Sequence, residues 1–88
     1  MELIVLTPQM EVFRGHIKSV KVPGTAGQFE VLAGHAPIVS SLQQGKVRII
    51  TESGEKKVFS ILNGFIEVLN NEVSLLVQGV DLAPESWS

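Results

Sequence analysis

Eighty-eight residues with no cysteine, 18% charged side chains and a formal net charge of −2 set tight limits on this chain. The length makes one domain, and the absence of cysteine excludes a disulfide framework, thiolate chemistry and cysteine-ligated zinc. The acidic balance argues against nucleic acid, which needs a basic face, and against binding to an anionic membrane surface.

The opening run Leu3-Ile4-Val5-Leu6 follows an acid and has only four consecutive apolar residues. It is neither a signal peptide nor a transmembrane span, and it lacks the Arg and Ser of a transit peptide, so the chain is expected to work where it is made. The hydrophobic fraction of 44% is high for so small a soluble domain. A two-sheet sandwich with apolar inner faces accounts for it; a sharper reading adds an apolar outer patch covered by a partner.

The apolar period is two almost throughout, which predicts an all-β fold. Leu3 to Leu6 reads as a short buried strand, stopped by Thr7-Pro8. Val12-Phe13 and Ile17 to Val22 follow, with Gly15 between them as a bend or bulge. In the second of these, Lys18, Val20 and Val22 fall on one face and Ile17, Ser19 and Lys21 on the other. Phe29 to Leu32 and Ile38 to Leu42 flank a corner from Gly34 to Pro37. Val47, Ile49 and Thr51 alternate with Lys46, Arg48 and Ile50, and a turn around Gly54 follows. Val58, Ser60 and Leu62 alternate with Lys57, Phe59 and Ile61 up to an Asn63-Gly64 corner. The clearest hairpin joins Phe65–Leu69 to Val73–Gln78 through Asn70-Asn71, because Asn tolerates the positive φ of a tight two-residue turn. Only Ala83-Pro84-Glu85-Ser86-Trp87 has the makings of a helix start. The expected architecture is a two-sheet β-sandwich of roughly eight to ten short, mainly antiparallel strands, with residues 1–82 as the domain and 83–88 as a short tail.

The residues with chemical potential do not assemble into a site. His16 and His35 are nineteen residues apart, without the further ligands that zinc requires, so no metal is expected. His35 reads as a corner residue whose ring hydrogen-bonds backbone beside Pro37, or as a partner contact; His16 reads as a solvated strand residue. Ser40 and Ser41 beside His35 lack an orienting acid and a G-x-S-x-G elbow. The acids are spread singly, with nothing that points to paired-carboxylate hydrolysis. Gly24-Thr25-Ala26-Gly27 sits among strands with no basic residue inside it, unlike a nucleic-acid-clamping G-x-x-G loop between helices. Gly45-Lys46-Val47 opens a strand rather than the helix of a phosphate loop. No catalytic residue and no cofactor are expected.

Four pieces in order resemble one family. They are Pro23-Gly24-x-x-Gly27, Gly34-His35-Ala36-Pro37, Leu42-x-x-Gly45-x-Val47-Arg48-Ile49 and Gly64-Phe65-Ile66-Glu67-Val68. Their order and spacing resemble the epsilon subunit of the F-type ATP synthase, from Leu3 to about Leu82. Glu30 departs from the family pattern, which commonly has Gly there. The resemblance implies an N-terminal β-sandwich without the C-terminal helical hairpin of that family. It further implies a non-catalytic central-stalk rotor subunit that couples proton-driven rotation of the c ring to ATP synthesis in the catalytic head. On this basis Pro23, Gly24, Thr25, Ala26, Gly27, Gln28, Phe29 and Glu30 are expected to meet the c-subunit ring. His35, Ala36, Pro37, Ile38 and Ser40 are expected on the side facing the gamma subunit. The expected location is peripheral, on the cytoplasmic face of a bacterial plasma membrane, with no nucleic-acid partner and no direct membrane insertion. Without the helical hairpin, no ATP-sensitive inhibition based on it is expected. The alternatives are an unrelated β-sandwich module for a small ligand or peptide, and a small hydrolase.

Overall fold

The computed structural model describes residues 1–82, and every regular element in them is a strand. In chain order these are β1 (Glu2–Leu6), β2 (Glu11–Gly24), β3 (Gly27–Leu32), β4 (Ile38–Leu42), β5 (Gly45–Thr51), β6 (Lys56–Ile61), β7 (Asn63–Leu69), β8 (Glu72–Gln78) and β9 (Asp81–Leu82). The expected all-β architecture of eight to ten mainly antiparallel strands is what the chain adopts; β1–β8 is the one parallel ladder among the described residues. The candidate helix start at Ala83 to Trp87 lies outside them.

The fourteen-residue β2 organises the whole. Its first half pairs β1, from Glu2↔His16 to Leu6↔Glu11. Its second half pairs β3 on one side and β5 on the other, and Gly24 at its end meets Leu42 of β4. The ladders β1–β8, β8–β7 and β7–β4 then carry the sheet back to β2, closing it on itself. A closed ladder leaves no row of unpaired backbone groups along that side. The other wing runs β3–β2–β5–β6–β9.

The inner faces meet in one core of sixteen buried apolar residues, drawn from every strand except β9. Alternation delivers them. Ile66 and Val68 of β7 and Val73, Leu75 and Val77 of β8 point inward while their neighbours point out. The β7–β8 turn holds Asn70 and Asn71 at φ of 51° and 64°, the two positive values that a tight turn matched to strand twist requires.

Three local expectations need correction. Gly15 does not separate two strands, since it pairs Leu3 inside continuous β2. The irregularity lies at Lys18: Ile17 pairs Thr51 and Ser19 pairs Ile50, so Lys18 is passed over as an inserted residue. That bulge reverses the alternation and puts Ile17 in the core with Val20 and Val22, while Lys18 faces solvent. Finally, Asn63-Gly64 is no corner but the start of β7, paired with Gln78 and Val77. A Cβ at Gly64 would lie 2.5 Å from the Leu76 carbonyl oxygen, so glycine is needed there for close strand approach rather than for a turn.

Candidate partner-binding surfaces

The β2–β3 hairpin turns through Thr25 and Ala26, with Gly24 paired to Gly27. Its tip is tied to the end of β4, since Thr25 N donates to Ser41 O (3.1 Å) and Gln43 N donates to Pro23 O (2.9 Å). Thr25, Ala26, Gly27, Gln28 and Glu30 are exposed; Phe29 is half-buried against the core. Pro23 and Gly24 are buried, so they support the tip from within and present no side chain to a partner. A Cβ on Gly24 would stand 2.7 Å from Gly27 O and 2.8 Å from the Phe29 ring. The small residue makes room for Phe29, not for an approaching molecule. Glu30 occupies ordinary strand backbone opposite Lys21, and its carboxylate accepts from Arg48 Nη2 at 3.0 Å. The position therefore takes a side chain without strain.

The corner between β3 and β4 lies at the opposite end of the sandwich. β3 leaves the tip at Gly27 and β4 returns to it at Leu42, so the corner stands roughly 20 Å away, six residues at about 3.3 Å each. His35 N donates to Leu32 O (3.1 Å), and the His35 ring donates from Nδ1 to Ala36 O (2.7 Å). The ring thus bonds to backbone beside Pro37, in line with one of the two readings of this residue. Ala36 and Pro37 are exposed, and His35, Ile38 and Ser40 are half-buried. Ile38 packs on the core, and Ser40 Oγ donates to Ser41 O at 3.3 Å. No hydrogen bond joins Ser40 to His35 among the described residues. No group of three or more His, Asp or Glu side chains with metal-holding geometry occurs among the described residues.

Between these ends runs a surface that sequence reasoning left unplaced. Val39 on β4, Phe65 and Leu69 on β7 and Leu76 on β8 are 51–70% exposed, although all are large and apolar. Shallow depressions sharing residues link them across the sheet, from Pro37–Val39 through Phe65 and Leu76 to a groove of about 450 Å³ beside Leu6 and Pro8. The opposite wing differs in character, with Lys21 and Arg48 paired across β2 and β5 and Lys46 exposed beside them. The signal for the apolar face was present in β7 and β8, whose two phases are both partly apolar. A strand buried on one face only needs apolar residues in one phase.

The family model described as ATP synthase, Delta/Epsilon chain, beta-sandwich domain matches residues 1–83. Among curated relatives, the ATP synthase epsilon chain of Protochlamydia amoebophila is 41% identical over 83 residues, covering 94% of this chain and 56% of that one. The epsilon chain of Chlorobaculum tepidum is 44% identical over 78 residues, 89% of each chain. The chain thus spans little more than half of the first relative and most of the second. Among solved structures, the fold resembles a chain of the Euglena gracilis mitochondrial ATP synthase (OSCP, F1 and c-ring), with a TM-score of 0.82 at 21% identity, covering 91% of this chain and 51% of that one. A chain of the Tetrahymena thermophila mitochondrial ATP synthase central stalk and c-ring gives 0.75 at 19% identity, covering 92% and 65%. The reading as an unrelated β-sandwich module falls with these matches. The chain belongs to the ATP synthase epsilon-chain family, matched over its delta/epsilon β-sandwich domain.

Proposed function

We propose that this chain is a non-catalytic central-stalk rotor subunit of an F-type ATP synthase. It links the gamma subunit to the c-subunit ring and so couples proton-driven rotation to ATP synthesis in the catalytic head. The observation that carries this reading, beside the family, is the placement of two dissimilar surfaces at separate parts of one closed sheet. The hairpin tip offers small and uncharged groups at Thr25, Ala26, Gly27 and Gln28, suited to the polar loops of a ring. The corner at His35–Pro37 continues through Val39 into the apolar face of β4, β7 and β8, suited to the desolvated core of a larger interface with gamma. The ladders closed through β2 tie the apolar face of β4, β7 and β8 to the strand that carries the hairpin tip. The tip is small, so attachment through gamma supplies much of the affinity for the ring by effective concentration.

The bacterial epsilon-chain relatives support a peripheral position on the cytoplasmic face of a bacterial plasma membrane. The test is co-purification: the tagged chain, expressed with its own ATP synthase subunits, is expected to carry the gamma subunit and the ATPase head through gel filtration. Recovery of the chain alone, with gamma present in excess, contradicts the proposal.

A further inference from the structure

Asn71 does more than turn the chain. A φ of 64° is met at least cost by glycine, which has no side chain to collide with the backbone. Asparagine tolerates this region and adds an amide, and here the amide is used. Asn71 Oδ1 accepts a hydrogen bond from Gly34 N at 3.1 Å, across 37 residues of sequence. The Asn71 carbonyl oxygen also accepts from Glu2 N at 3.1 Å. One residue thus joins the β7–β8 turn to the beginning of β1 and to the β3–β4 corner. Asn70, its neighbour at φ 51°, makes no side-chain hydrogen bond among the described residues.

Few other hydrogen bonds hold the corner. Gly34 itself has φ 82°, and the other hydrogen bonds at this point are local: His35 N to Leu32 O and His35 Nδ1 to Ala36 O. Among the described residues, the bond to Asn71 is the one that ties residues 34–36 to a distant part of the chain. We infer that Asn71 is a positioning residue, a clasp that holds the His35–Pro37 corner in the conformation that meets the gamma subunit. The inference rests on the gamma-facing reading of that corner. Holding a contact loop in its bound conformation lowers the ordering cost of association, so the clasp acts on affinity without touching the partner.

The test separates the clasp from the turn and from the partner reading. Asn71→Gly keeps the positive φ and removes the acceptor; Asn70→Gly makes the same backbone change and leaves the clasp intact. In the isolated chain, amide exchange at Gly34 is expected to accelerate about two- to tenfold in Asn71→Gly, the range of one solvent-accessible hydrogen bond, and to stay unchanged in Asn70→Gly. The dissociation constant for purified gamma is expected to rise by a similar factor in Asn71→Gly only, with the melting temperature unchanged or raised. Unchanged exchange at Gly34 overturns the clasp. Faster exchange with unchanged gamma affinity, while His35→Ala weakens gamma binding, leaves the corner facing gamma and overturns the positioning role. If His35→Ala also binds gamma normally, the partner reading fails and the inference fails with it.

Discussion

Replacing Phe65 by Thr separates an interface residue from a core residue. Phe65 is 56% exposed, so of the roughly 200 Å² that a phenylalanine can bury, about 110 Å² remains in water in the isolated chain. Covering that area with a partner is worth about 2.8 kcal/mol at about 25 cal/mol per Å². Threonine retains part of it, so gamma binding is expected to weaken by about 1.5–2.5 kcal/mol, roughly ten- to sixtyfold in dissociation constant. Folding should change little, because threonine suits a strand and the lost area was already wet; the expected effect is within about 1 kcal/mol. The next residue behaves oppositely. Ile66 is fully buried, and Ile66→Ala is expected to cost about 2–5 kcal/mol of stability. Titration calorimetry with gamma and thermal unfolding of both variants make the comparison. Gamma affinity within threefold of the parent for Phe65→Thr refutes the assignment of this face.

Gly24→Ala is expected to destabilise the fold by about 1–3 kcal/mol, read from denaturant unfolding, because its Cβ would crowd Gly27 O and the Phe29 ring. Glu30→Gly, toward the commoner family residue, is expected to lose about 0.5–1 kcal/mol in the same assay, since the position is ordinary strand; a gain in stability contradicts this. Gamma at one hundred times its dissociation constant should stabilise the chain by about 2.7 kcal/mol, seen as a higher melting temperature. Added to a catalytic head that lacks epsilon, the polypeptide of residues 1–88 is expected to impose no inhibition that ATP relieves, measured as ATP hydrolysis.

Local chemistry made several elements legible. Asn70-Asn71 announced its turn because few other residues accept two successive positive φ values. Gly34 to Pro37 announced a corner for similar reasons, and β3 and β4 end and begin beside it. The Lys18 bulge was not legible, because an inserted residue carries no composition signal and lysine is at home on any solvated strand. Gly15 drew the reading toward the wrong place. Asn63-Gly64 misled for the opposite reason. It has the composition of a turn, yet its glycine answers a cross-strand approach to Leu76 that only the folded sheet reveals. Of the candidate surfaces, the tip and the corner came from family resemblance, and no local pattern showed that Pro23 and Gly24 are buried beneath the tip. The apolar face was partly legible in the double apolar phase of β7 and β8, and Val39 joins it only when β4 lies beside β7. The clasp from Asn71 to Gly34 spans 37 residues, and no local pattern points to it.

A sandwich that bridges gamma and the ring carries residues within reach of both partners, which site-directed crosslinking in the assembled complex detects. Residues 1–88 contain no cysteine, so single thiols at Gln28 and at Val39 report without background from this stretch. Gln28→Cys is expected to crosslink to a thiol placed in the polar loop of a c subunit, and Val39→Cys to a thiol on gamma. Crosslinks from Gln28→Cys to gamma or to the catalytic subunits, with none to the ring, rule out a hairpin tip seated on the c subunits.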